Sequence, residues 1–329
     1  MTAPTTNAIK ATGLVKRFGD KTALHGIDLT VPAGTVTAVL GPNGAGKTTA
    51  VRILTTLTEA DGGTAQVAGF DVATQGTQVR QRIGLAAQDA TVDGLLTGRE
   101  NLQMIGELHQ LGRAAASERA EQLLDDFSLV DAADRLARDY SGGMRRRLDL
   151  AATIVARPEV LFLDEPTTGL DPRARNELWA VLDNLVGRGT TLLLTTQYLE
   201  EAERLADDIV VIDHGRVIAQ GNSRDLKRRV GGDQLQLVVR DPAQLEHAAA
   251  ILARGTNTSP QLDIGSRSAT VPTRSGVAAL AAASVALADA GIEVDDLGMR
   301  QPTLDEVFLT LTGAPASETT QDATTEVTR

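Results

Sequence analysis

Gly41-Pro42-Asn43-Gly44-Ala45-Gly46-Lys47-Thr48 sets three glycines ahead of an adjacent lysine and hydroxyl. Glycines let the backbone wrap so that several N–H groups point inward, and a helix beginning there adds partial positive charge. The apolar run Val36 to Leu40 leads into this stretch, and the helical TTAVRILTTL, opening on Thr48 and Thr49, leads out. In the GxxxxGK[ST] pattern phosphates lie against such a backbone, the lysine reaches the β- and γ-phosphates, and the Thr48 hydroxyl ligates Mg²⁺. The bland alternative is a glycine-rich strand-to-helix turn with no ligand. By itself the pattern indicates a nucleoside triphosphate and no particular reaction.

Val160-Leu161-Phe162-Leu163-Asp164-Glu165 is four apolar residues closed by two acids. On a buried strand these carboxylates emerge at the C-terminal edge, where open α/β sheets bind ligands. Asp164 would then hold Mg²⁺ through water and Glu165 would polarise the attacking water as general base. Such pairs also close strands by chance, and position downstream of a phosphate loop is what favours the chemical reading. Ser141-Gly142-Gly143 opens a second helix, MRRRLDLAATIVA, with a small polar cap and bare N–H groups that favour an anion. It is either an ordinary N-cap or a second phosphate nest, covering the same nucleotide from the opposite face, from another subunit.

The elements that must position these groups follow from periodicity. Residues Ile9 to Val39 read as short strands separated by turns, ending in the strand that delivers the glycine loop. From Thr97 to Leu136, apolar residues such as Leu102, Ile105, Leu123 and Leu124 recur at helical spacing, predicting a helical insert. Strand, loop and helix then alternate through VLFLDEP, TTLLLTT and DIVVIDHG, which implies a mainly parallel sheet. After Gly221 a linker helix precedes strand, helix, two strands, helix and strand, the split βαβ, ferredoxin-like order, and a short helix TLDEVFLTL closes it.

The predicted division is a flexible start at 1–8, a nucleotide-binding domain at 9–221 with its helical part at about 89–140, an accessory α+β domain at 222–313, and a disordered tail at 314–329.

Composition narrows the classes. At 329 residues the chain suggests roughly two domains. Lys and Arg number 32 against 43 Asp and Glu, a net charge of -11, which argues against a nucleic-acid partner held by cationic patches. One Trp, two Tyr and five Phe leave little for base stacking or a membrane belt. The start MTAPTTNAIK lacks a charged-then-apolar leader, and no stretch approaches the roughly 18 apolar residues of a membrane helix. With no cysteine, disulfides and thiolate metal sites are excluded, which fits the cytoplasm.

Together these residues resemble the nucleotide-binding subunit of ATP-binding cassette (ABC) transporters over about Ile9 to Gly221. GPNGAGKTT looks like the family's Walker A, Gln88 its Q-loop, YSGGMRRRLDLA its signature, LFLDEP its Walker B with catalytic glutamate, and TTGLD its D-loop ending at Asp171. Details such as SGGMRRR, TTQYLEEAERLAD and TLDEVFLTLTG look like the daunorubicin-resistance branch of drug exporters.

The resemblance implies a P-loop NTPase fold with an antiparallel β subdomain, a helical insert and a small C-terminal domain. It implies an ATPase using ATP and Mg²⁺, two copies closing on two nucleotides, a separate type-2 integral membrane permease, and a cytoplasmic place for this chain, peripheral on the inner face of the membrane. Phe18 would stack on adenine, against the alternative of a core Phe at a strand end. Gln88 would complete the Mg²⁺ shell and sense the permease. Ser141, Gly142 and Gly143 would clamp the partner's γ-phosphate, and Asp171 would link the two sites.

Two departures stand out. The usual LSGGQ reads Tyr140-Ser141-Gly142-Gly143-Met144, and Gln197 fills the switch-histidine position. Gln still donates an N–H to a γ-phosphate but does not titrate near neutral pH. The competing class is a soluble cassette acting on ribosomes or DNA without a permease. Against it stand a single cassette, no coiled coil, and an acidic chain. The C-terminal domain either contributes dimer or permease contacts or is a small appendage of no catalytic importance.

Overall fold

The computed structural model describes residues 7–87, 91–230, 233–254, 259–273 and 276–312. Gln88, residues 1–6 of the expected flexible start and the expected tail at 314–329 lie outside the described residues. The chain divides into two units, Met1–Asn222 and Ser223–Arg329.

The first unit holds two sheets. Strands β1 (Asn7–Phe18), β2 (Lys21–Pro32), β4 (Gly62–Val67) and β5 (Phe70–Asp71) form an antiparallel sheet in the order β2-β1-β4-β5. The second sheet is built from β3 (Val36–Leu40), β6 (Ile83–Ala86), β7 (Val160–Asp164), β8 (Thr191–Thr196), β9 (Asp208–Asp213) and β10 (Arg216–Gly221). Its order is β10-β9-β3-β8-β7-β6, and every pairing is parallel except that of β10 with β9. Every residue of β3, β7 and β8 is buried, as expected for continuous apolar runs in a parallel sheet covered on both faces.

Helices α1 (Lys47–Leu54), α2 (Gly76–Arg80), α3 (Gly98–Leu108), α4 (Arg113–Asp126), α5 (Gly142–Thr153), α6 (Pro172–Gly187) and α7 (Leu199–Leu205) complete this unit. The predicted helical insert is α3 and α4, and Thr97 starts α3 with a capping box closed by Glu100. Ile53, Leu54, Phe162, Leu193 and Val210 share one core with Ile9, Leu24 and Val31 of the antiparallel sheet.

The register does the positioning. Leu40 pairs with Thr196, and Asp164 pairs with Thr195. The residues that follow β3, β7 and β8, namely Gly41, Glu165 and Gln197, therefore leave the sheet side by side at one edge.

The second unit begins with α8 (Ser223–Val230). Then follow β11 (Gln234–Val239), α9 (Leu245–Ala253), β12 (Gln261–Asp263), β13 (Ser268–Pro272), α10 (Gly276–Asp289), β14 (Val294–Arg300) and α11 (Leu304–Thr312). Its sheet is antiparallel in the order β12-β13-β11-β14. Leu237, Val239, Ala248, Leu252 and Leu287 form its core, and Leu226 of α8 is buried, as are Val307 and Phe308 of α11.

Candidate nucleotide site

At Gly41 and Gly46 of the 41–48 loop a side chain does not fit. A Cβ on Gly41 would lie 2.2 Å from the carbonyl oxygen of Ile212, and one on Gly46 would lie 2.8 Å from that of Ala23. Gly46 has φ +110° and caps α1, so the loop turns directly into the helix N-terminus. The loop is tied to its surroundings by backbone bonds from Gly41 N to Thr196 O at 3.3 Å and from Gly215 N to Ala45 O at 2.9 Å.

Lys47 is buried, and its ammonium donates to the carbonyls of Gly41 at 2.7 Å and Pro42 at 3.2 Å. It also pairs with Glu165 Oε1 at 3.4 Å. The Thr48 hydroxyl donates to Asp164 Oδ1 at 3.2 Å. A hydroxyl and a carboxylate converging at a helix N-terminus are hard oxygen donors of the kind Mg²⁺ takes, so the residues present fit that ion. Phe18, 54 % exposed, is not a core ring. It borders the same cleft as Pro42, Asn43, Gly44, Lys47 and Thr49, a space of about 280 Å³, and Lys16 lies 5.4 Å over its ring.

Glu165 has φ +49°, a left-handed conformation that costs a non-glycine residue about 1–3 kcal/mol and that clusters at functional sites. Its N–H donates to both the carbonyl and the hydroxyl oxygen of Thr195, each at 3.1 Å, while the Thr195 hydroxyl donates to Asp164 Oδ1 at 2.5 Å. A second cleft of about 640 Å³ is bordered by Asn43, Gly142, Glu165, Thr168 and Gln197. The structure thus brings Gln197 and the 141–143 turn to the same side of the loop as the acids.

Ser141 caps α5 by accepting from Met144 N at 3.3 Å. Ser141 and Gly142 are exposed. A Cβ on Gly143 would sit 3.0 Å from that of Ala174, so the glycine admits the start of α6. Tyr140, at the position of the usual leucine, is buried, and its hydroxyl donates to the Ala132 carbonyl at 2.7 Å. Asp171 caps α6 by accepting from Ala174 N at 2.7 Å.

Sequence reading missed four residues. Thr195 and Arg146 touch the acids or their backbone, and Asp149 is buried on α5. Glu201 is fully buried, and its Oε1 accepts from Trp179 Nε1 at 3.4 Å. Burial pushes the pKa of the Glu201 carboxyl up, against the hydrogen bond from Trp179. An acid set among the apolar residues of LDLAATIVA was the legible signal for Asp149. The others had none, because their partners are remote in sequence.

Comparison with known proteins agrees with this geometry. The family model described as ABC transporter matches residues 24–168. The daunorubicin resistance ATP-binding protein DrrA2 of Streptomyces coeruleorubidus is 53% identical over 93% of this chain and 95% of that protein. The daunorubicin/doxorubicin resistance ATP-binding protein DrrA of Streptomyces peucetius is 50% identical over 99% of each. Among solved structures, cbiO1 from Clostridium perfringens, part of the ABC transporter complex cbiONQ, is similar with a TM-score of 0.62 and 26% identity over 68% of this chain and 94% of that one.

Proposed function

The chain belongs to the ABC transporter family as an ATP-binding, ATP-hydrolysing subunit, and from that premise we propose that it powers efflux of a drug-like or lipid-like compound through a separate membrane permease. The observation that carries this reading is the convergence of Lys47, Thr48, Asp164 and Glu165 at the ends of β3 and β7. Similarity to resistance proteins supplies the direction and the class of cargo. Among the described residues no helix is long and apolar enough to cross a membrane, so in this reading a separate membrane-spanning chain carries the cargo and this one sits peripherally on the inner face. Met104 and Leu108, four residues apart on α3, are exposed and offer that chain an apolar contact.

The loop N–H groups and Lys47 hold the β- and γ-phosphates, and Phe18 stacks on the adenine. Thr48 and Asp164, together with Gln88, would hold Mg²⁺, and the ion would supply charge neutralisation at the transferred phosphoryl group. Glu165 takes the proton of the attacking water, and Gln197 donates an N–H to the γ-phosphate. Ser141, Gly142 and Gly143 of a second copy close on that phosphate, and Asp171 passes the state of one site to the other. ATP favours the closed pair, closure moves the permease, and hydrolysis reopens it.

The test is sedimentation of the full chain with ATP after Glu165→Gln. A nucleotide-dependent dimer that persists, with hydrolysis stalled, supports the cycle; a monomer at saturating ATP overturns the sandwich.

A further inference from the structure

Arg146 and Asp149 stand at i and i+3 on α5, on neighbouring positions of one helix face. Burying a guanidinium and a carboxylate is costly unless their hydrogen bonds are made. The Arg146 fork makes three. Nε donates to the Pro166 carbonyl at 2.9 Å, one terminal nitrogen to that of Ala87 at 2.8 Å, and the other to that of Asp164 at 3.4 Å. Pro166 and Asp164 are the sequence neighbours of Glu165, so two arms of one planar group hold the carbonyls on either side of the residue whose φ is +49°. The third arm reaches Ala87, the residue after β6.

Asp149 grips the same stretch of chain further on. Its Oδ1 accepts from the N–H groups of Thr91 at 2.7 Å and Val92 at 3.1 Å. Between them the two side chains fasten α5 to Ala87 and to Thr91–Val92, the described residues on the two sides of Gln88. Burial raises the Asp149 carboxyl's pKa, opposed by those two N–H donors and by the nearby arginines. Burial likewise lowers that of Arg146, opposed by Asp149, Asp164 and Glu201, though a guanidinium stays charged throughout.

We propose that Arg146 is a positioning residue for ATP hydrolysis, and that with Asp149 it makes α5 a rigid link between the chain on both sides of Gln88 and the backbone that aims Glu165. This rests on Glu165 being the general base. Without the fork, the carbonyls of Asp164 and Pro166 on either side of Glu165 lose their guanidinium donors, the bonds from the Glu165 N–H to Thr195 no longer suffice to hold its direction, and its carboxylate swings off the attacking water. Phosphate binding by the 41–48 loop uses none of these bonds, so kcat falls while KM for ATP stays.

Saturation curves of ATP turnover on the full chain test this. Arg146→Met keeps the stem and removes the fork, and its kcat should drop roughly 10- to 100-fold, the scale of a displaced catalytic group, at parental KM. Arg146→Lys keeps the charge without forking to three carbonyls and should lose nearly as much. Asp149→Asn retains the acceptor oxygen and should recover most of what Asp149→Leu loses. The double variant Arg146→Met with Asp149→Leu should be no slower than the slower single, because one link has been cut twice.

Parental kcat in Arg146→Met, or kcat and KM shifting together with a lower unfolding midpoint, overturns the proposal. If Arg146→Met does not fold, Arg146→Lys decides on the same two readings. A slow Glu165→Gln beside a fast Arg146→Met leaves the base standing and removes only the positioning role. A slow Arg146→Met beside an unimpaired Glu165→Gln removes the route through Glu165.

Discussion

The Thr195 hydroxyl donates to Asp164 Oδ1 at 2.5 Å while accepting the N–H of Glu165 at 3.1 Å. One fully buried oxygen therefore fixes the side chain of the first acid and the backbone of the second. Thr195→Val preserves the shape and removes both bonds. It should lower the urea midpoint by the equivalent of about 1–3 kcal/mol, the cost of stranding buried polar groups, and slow hydrolysis at unchanged KM. Thr195→Ser, retaining the hydroxyl, should restore turnover.

Glu165→Gln should leave ATP binding intact and slow hydrolysis by about 10² or more, the usual loss when a general base is removed. Binding is measured with a fluorescent ATP analogue and hydrolysis by phosphate release. Unchanged release would dismiss Glu165 as the base.

Gln197 borders the cleft beside Glu165, and its side-chain amide is a donor that does not titrate. Gln197→Ala should turn over more slowly, and Gln197→His should introduce a pH dependence near neutrality that the parent lacks. An alanine variant as fast as the parent would leave Gln197 without a role in hydrolysis.

Glu201 gives a pH prediction. Its pKa is raised in the folded chain, chiefly by burial, so between the unfolded and folded values the native state binds more protons than the unfolded one. The contribution of Glu201 to stability is then fully present below its unfolded pKa and is lost as pH rises through the raised value. Glu201→Gln, neutral at every pH, should flatten that part of the stability curve. Trp179, the chain's only tryptophan, touches Glu201 and reports unfolding by its fluorescence. An identical slope in parent and variant would show that Glu201 is charged in the fold.

Gly41→Ala forces a Cβ to 2.2 Å from the Ile212 carbonyl, which belongs to a buried strand and has little freedom to move. The loop must shift instead, and ATP binding should be lost while circular dichroism is retained. Parental ATP affinity in this variant would mean that the loop's path tolerates displacement.

Much of this molecule is legible in one dimension because the chemistry is local. The spacing from Gly41 to Thr48, the acids ending VLFLDE and the turn Ser141-Gly142-Gly143 each make a complete local device, a loop, a strand end and a helix cap, whose geometry depends on near neighbours. Periodicity likewise marked α3 and α4, because a helix repeats within a few residues.

Only the tertiary structure decided which of these devices meet. The sheet order that sets β8 between β3 and β7 brings Thr195 onto Asp164 and Lys47 onto Glu165. Neither pairing leaves a trace in spacing, because strand order is chosen by long-range packing of uniformly apolar runs. The same holds for Arg146, whose three acceptors are backbone carbonyls that every residue possesses. Residue types announce an acid, a lysine or a hydroxyl. What a guanidinium holds, and how far Glu165 is strained to stand where it does, exist only once the chain has folded around them.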